Sequence, residues 1–154
     1  MTPTRHHPDD PDLGYVLSLI RTSFAYMDGR IDPPSSMHRL DLRSLSDLCV
    51  RGEVWSLGTP PAACIILTPN PDALYLGKLA VRDSDRGKGH AARLLALAAH
   101  RALALGLSAL ELQSRVELTE VHAYFKRHGF QVTGSTAHDG YDRPTSLTFR
   151  KYLG

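Results

Sequence analysis

Residues 79–92 read LAVRDSDRGKGHAA, and the reading of this stretch sets the architecture around it. Leu79, Ala80 and Val81 end an apolar run, Arg82 to Lys88 are polar, and Gly87 and Gly89 bracket Lys88. From Gly89 onward Leu94, Leu95, Ala98, Ala102 and Leu105 recur at helical spacing, with Gly106 as a stop signal. The order strand, basic glycine turn, helix N-terminus predicts an anion site. Glycine has no Cβ, so the backbone comes close to a ligand. The helix start offers free N–H groups and the positive end of its dipole. Between Arg82 and Arg93 lie four cations (Arg82, Arg86, Lys88, Arg93) and two anions (Asp83, Asp85), a surplus of two. That is the chain's whole net charge of +2, since 18 Lys and Arg face 16 Asp and Glu overall. The expected guest is a small phosphorylated molecule, and no broad basic face is left for nucleic acid.

Working outward, the spacing of Leu13, Val16, Leu17, Ile20 and Phe24 predicts a helix over 12–26 behind Asp12 as N-cap. Gly29 and the pair Pro33-Pro34 then force a loop. A second helix is expected over 37–50, with Leu40, Leu45, Leu48 and Cys49 inward. Short apolar runs at 54–57, 62–68 and 73–81, separated by Gly/Thr/Pro and Asn-Pro-Asp turns, predict three antiparallel strands. After the helix from Gly89 come a strand at 108–114, a short helix at 119–128 closed by Gly129, and strands at 130–133 and 146–152. The fold class expected is α+β: a mixed, mostly antiparallel sheet flanked by helices, with one parallel crossover.

A chain of 154 residues, 42% of them hydrophobic, fits one domain with a real core. Residues 1–9 are expected to be flexible, and no first strand is evident before Asp10. The longest apolar runs fall far below the roughly 20 residues that span a bilayer, so no membrane association is expected. MTPTRHHPDDPD lacks the apolar core of a secretory signal. Cys49 and Cys64 then read as reduced, packed thiols in a cytoplasmic protein. The eight histidines are scattered, and none stands in a zinc-binding spacing, so no metal is expected.

Three phosphate motifs compete for the loop. A Walker loop needs Gly where Arg82 stands and Ser or Thr where Gly89 stands, and fails twice. Gly87-Lys88-Gly89-His90-Ala91-Ala92 satisfies the dinucleotide pattern G-x-G-x-x-A, with Glu111 about 20 residues on. Against it, five residues separate Val81 from the first glycine, and Glu111 does not end its strand. The third match is Arg86-Gly87-Lys88-Gly89-His90-Ala91, which resembles the R/Q-x-x-G-x-G/A loop of the GNAT N-acetyltransferase superfamily. The strand end Leu79-Ala80-Val81, the Ala/Leu helix and AYFKRHGF at 123–130 are similar to that family in order and spacing.

The resemblance implies a GNAT-like fold using acetyl-CoA as co-substrate. Arg86, Gly87, Lys88, Gly89, His90, Ala91 and Ala92 would hold its pyrophosphate, and Leu79, Ala80 and Val81 its pantetheine arm. It implies direct transfer of acetyl to a primary amine of a small molecule or peptide, and leaves a homodimer open. The family's usual acid, a tyrosine four residues before the glycine of Gly-Phe, is here Phe125. Tyr124 lies one residue earlier, about 100° around a helix, so either Tyr124 or solvent gives the proton. Glu117, Glu120 and His122 cluster at the start of that helix, with Glu120 the candidate base. Arg115 would clamp an acceptor carboxylate or simply close its strand. Tyr141 and Asp142 would bind an amine or form a turn. The rival function is a non-catalytic CoA-binding regulatory module, kept alive by Phe125; a dinucleotide-binding protein is the lesser alternative.

Overall fold

The computed structural model describes residues 1–154. The elements are β1 (Thr4–Arg5), α1 (Leu13–Phe24), α2 (Leu42–Arg51), β2 (Glu53–Leu57), β3 (Ala63–Pro69), β4 (Leu74–Val81), α3 (His90–Ala104), β5 (Ala109–Arg115), α4 (Thr119–Arg127), β6 (Gln131–Thr136) and β7 (Ser146–Tyr152). They form one seven-stranded sheet in the order β1-β2-β3-β4-β5-β7-β6. Every neighbouring pair is antiparallel except β4 and β5. This is the mixed α+β arrangement with one parallel crossover that the sequence predicts.

Helices cover both faces because the central strands are apolar on both sides. In β3, Cys64 and Ile66 face α1 and α2, joining Val16, Ile20, Leu45 and Val54 in one buried cluster. The alternate residues Ala63, Ile65 and Leu67 face the other way, joining Leu94, Ala98, Leu110, Phe125, Phe130 and Phe149. Ile65 has no exposed surface, so truncating it to Ala would cost about 2–5 kcal/mol.

Two parts of the chain differ from the sequence expectation. The head is folded onto the sheet: Thr4 and Arg5 pair with Ser56 and Trp55. His6 is buried, with Nε2 2.7 Å from Ser56 Oγ and Nδ1 3.1 Å from Asp10. The segment 37–50 is not one helix. Ser36–Arg39 forms a 3-10 turn, and α2 starts only at Leu42. Asp41 accounts for the break: its carboxylate accepts the Ser44 amide at 2.8 Å while Ser44 Oγ accepts the Asp41 amide at 2.9 Å. That reciprocal cap fixes Asp41 in an extended conformation outside the helix.

The feature that positions the site is how little β4 and β5 share. Only Leu74–Leu110 and Tyr75–Glu111 pair. Beyond them β4 carries one extra residue against β3, where Cys64 pairs with Ala80 but Ile66 with Gly77. Lys78 sits in that bulge at φ +50°, a left-handed backbone uncommon outside glycine. The strands part there, and a cleft opens between them.

Candidate active site

The cleft has a volume of about 1090 Å³ and runs from the α3 N-terminus, past the parting of β4 and β5, to the loops after α1 and β6. At one end lies the glycine turn that the sequence expects to hold phosphate. Asp85 is the hub of the turn, accepting Arg82 Nε at 2.6 Å and Lys88 Nζ at 3.0 Å. Lys88 first and Arg82 second hold its carboxyl below the usual range. Gly87 and Gly89 adopt φ +78° and +83°, and the space where a Cβ would stand is open at both. The first helical bond runs from Arg93 N to Gly89 O. The amides of His90, Ala91 and Ala92 are therefore uncommitted at the cleft wall. His90 Nδ1 is also buried there without a partner. This cradle of donors and glycines fits a diphosphate.

Not all ten predicted cofactor residues meet the cleft with their side chains. Arg86, Gly87, Gly89, His90, Ala91, Ala92, Leu79 and Val81 line it. Ala80 points to the opposite face, among the α1 residues, as strand alternation requires. Lys88 is spent on Asp85, and Arg86 lies 3.2 Å from Asp83.

In the middle of the cleft the two aromatic residues of α4 divide the work between them. Phe125 is 7% exposed, its ring edge-on to Phe130 at 5.4 Å and tilted against Phe149 at 6.4 Å. Tyr124 lines the cleft wall, half-buried and stacked 4.4 Å from His128. Burial pushes its hydroxyl above the ordinary tyrosine value. It therefore holds its proton at neutral pH.

Of the three base candidates, Glu120 and His122 are committed elsewhere and Glu117 only in part. Glu120 lines the cleft but receives both arms of Arg30, at 2.8 and 3.2 Å, and that guanidinium holds its carboxyl low. A carboxylate so held is a poor proton acceptor. Its position at the helix start turns it into a clasp on the loop after α1. Glu117 Oε2 accepts the Asp32 amide at 3.1 Å, while its Oε1 is buried without a partner. His122 is buried, with Nε2 2.8 Å from the Arg115 carbonyl. Tyr141 donates to Asp32 at 2.6 Å, so it serves the loop contact. Arg115 donates to the carbonyls of Pro33 and Pro34 at 2.5 and 2.9 Å and still borders the cleft. Glu111, the acid of the dinucleotide reading, is 2.6 Å from Arg150 and faces that partner across β7.

Lys78, a cleft residue, carries no signal in the sequence, because its importance comes from the bulge. Its Nζ donates to Ser36 Oγ at 2.6 Å and lies 5.8 Å from the centre of the Phe24 ring. Burial first, then Arg115 and Arg39, pull its ammonium down to about 8.

Residues 16–130 match the acetyltransferase (GNAT) family. The chain belongs to this family. It is therefore an acyltransferase of the N-acetyltransferase kind. Solved structures share the GNAT fold over nearly the whole chain. An acetyltransferase from Streptococcus agalactiae is 16% identical, with a TM-score of 0.76 over 99% of this chain and 98% of that one. A GNAT acetyltransferase from Elizabethkingia anophelis, with acetyl-CoA bound, is 15% identical, with a TM-score of 0.68 over 99% and 97%. An IAA acetyltransferase from Bacillus cereus is 18% identical, with a TM-score of 0.68 over 99% of both chains. No curated protein matches the chain in sequence. The GNAT chain has no group of His, Cys, Asp or Glu arranged to hold a metal, and no helix long and apolar enough to cross a membrane.

Proposed function

We propose that the protein transfers acetyl from acetyl-CoA to a primary amine of a small molecule or peptide, directly and without a metal. The observation that carries this is the single cleft joining the open glycine turn at the α3 N-terminus to Tyr124 through the gap between β4 and β5. Bound acetyl-CoA supplies an activated acetyl group as a thioester. The chain's own part is to bind, orient and move protons. The amides of His90 to Ala92 and the turn at Gly87 and Gly89 take the diphosphate, with charge supplied by Arg86. Leu79 and Val81 flank the arm, and the parted β4 backbone offers it strand-like hydrogen bonds. A backbone N–H near Leu79 to Val81 would steady negative charge on the thioester carbonyl oxygen. Tyr124 holds the proton that the departing sulfur needs. No committed base faces the amine, so its proton leaves to water, and holding the two reactants together provides much of the rate.

The experiment is an acceptor screen, with thiol release and mass detection of the acetylated product. Turnover with one amine class confirms the proposal. Tight CoA binding without turnover on any amine would favour a non-catalytic CoA sensor, a reading supported by the core position of Phe125. Thermal stabilisation by a dinucleotide but not by CoA would sink both. At about 100 times its dissociation constant the true ligand stabilises by about 2.7 kcal/mol.

A further inference from the structure

The acceptor end of the cleft carries uncompensated charge. Four cations line the cleft, Arg30, Lys78, Arg86 and Arg115, against the two acids Asp85 and Glu120. Both acids are occupied, Glu120 by Arg30 and Asp85 by Arg82 and Lys88, and Arg86 leans on Asp83 outside. Lys78 and Arg115 remain, and neither forms an ion pair. Lys78 has only the Ser36 hydroxyl, and Arg115 only the carbonyls of Pro33 and Pro34.

Both are desolvated, and they repel. Arg115 and Arg39 act on Lys78, and Arg39 acts on Arg115. Glu117 and Asp32 lie within electrostatic reach of Arg115 without touching it. Glu117 Oε2 accepts the Asp32 amide while its Oε1 has no partner, so its charge offsets part of that on Arg115, and the Asp32 carboxylate takes Tyr141 and Arg143. Two half-buried cations without a direct ion pair, both bordering the cleft on the side of the loop after α1, make a receptor for an anion.

Resting on the transferase reading above, we propose that the acceptor is a small amine carrying a carboxylate a few bonds from the amino group, an amino acid or similar zwitterion. Lys78 and Arg115 take the carboxylate. Lys78 stands in the bulge where β4 leaves β5, next to the strand end that receives the acetyl-bearing arm. A carboxylate held there leaves an adjacent amine close to the thioester. Two donors of different shape suit the two oxygens of a carboxylate.

The test pairs each of a set of L-amino acids with its C-terminal amide and its decarboxylated amine, with product detected by mass. The wild-type protein should favour the acids over both neutral series by about tenfold or more in kcat/KM. Lys78→Met and Arg115→Met should each cut that preference to under about threefold, through a higher KM for the acid. Arg115→Lys, which keeps the charge, should retain part of it, and thermal melts check that each variant is folded. Acetylation of amides or plain amines as readily as of acids overturns this inference and leaves the acetyltransferase standing. Failure to bind acetyl-CoA, or turnover of no member of any series, overturns both.

Discussion

Arg30 and Glu120, ninety residues apart, meet side-on with Nη1 to Oε1 at 2.8 Å and Nη2 to Oε2 at 3.2 Å. This fork ties the loop after α1 to the start of α4 and occupies both oxygens of the carboxylate. Glu120→Gln should therefore change kcat by less than about threefold, whereas losing a general base costs about 10²–10⁴. The acceptor KM should rise as the loop loosens. Because Arg30 holds the Glu120 carboxyl low, the wild-type rate should show no Glu120 limb between about pH 5 and 8, a window above the ordinary carboxylate range. A hundredfold fall in kcat, by about the lower bound for base catalysis, would restore Glu120 as the base.

Tyr124→Phe should lower kcat by about 100-fold or more with little change in the KM for acetyl-CoA. Burial raises the Tyr124 hydroxyl above its ordinary value, so the protonated form dominates at neutral pH. The alkaline fall in kcat should lie above about pH 10 and vanish in the variant. Undiminished kcat in Tyr124→Phe would assign the proton to water.

Gly89→Val should abolish CoA binding in calorimetry, because Gly89 opens α3 at φ +83°. A left-handed residue with a side chain costs about 1–2 kcal/mol, a loss of several degrees in Tm at about this size. Gly106→Ala is the matched control. Gly106 also has a positive φ, +76°, but follows the far end of α3. It should lower Tm similarly while CoA affinity holds.

Lys78→Met should make the protein more stable at pH 7. The Lys78 ammonium drops from 10.5 to about 8 in the folded chain, so the unfolded chain binds more protons between those values. Stability conferred by this site therefore rises with pH from about 8 to 10.5, and the burial penalty is complete below 8. Removing the charge should gain about 1–3 kcal/mol at neutral pH, allowing for its partial exposure. The advantage should shrink steadily above pH 8 in melts taken across the range. A variant less stable than wild type at pH 7 would mean that the Ser36 hydrogen bond outweighs the repulsion.

The turn at 82–92 was legible because its meaning is local: two glycines, a strand before and a helix after decide it with no distant partner. Strand positions followed from apolar runs, and Ser146–Tyr152 matches its expected limits. The two-residue strand β1 was not legible, because a pair of polar residues has no periodicity to read. The late start of α2 did have a signal, Asp41 followed three residues on by Ser44, hidden by apolar spacing that runs on through Leu40. The fates of Glu117, Glu120 and Arg115 depend on Asp32, Arg30 and the Pro33-Pro34 carbonyls, all more than 80 residues away. Such pairings are a property of the folded chain. Lys78 looks like any strand residue until the bulge turns it into the cleft.

The narrow pairing of β4 with β5 leaves the two halves of the sheet joined by few directional bonds. Two residue pairs join the β1–β4 half to the β5–β7 half, while the apolar layer beneath α3 runs unbroken from one to the other. Directional hydrogen bonds resist shear, but apolar contact has no preferred direction and lets surfaces slide. On the acceptor side the halves are laced by side chains instead: Arg30 to Glu120, Arg115 to Pro33 and Pro34, and Tyr141 to Asp32. The width of the opening is thus governed by a few loop ties that single substitutions can lengthen or cut. Size selectivity toward the acceptor can evolve there without disturbing the strands.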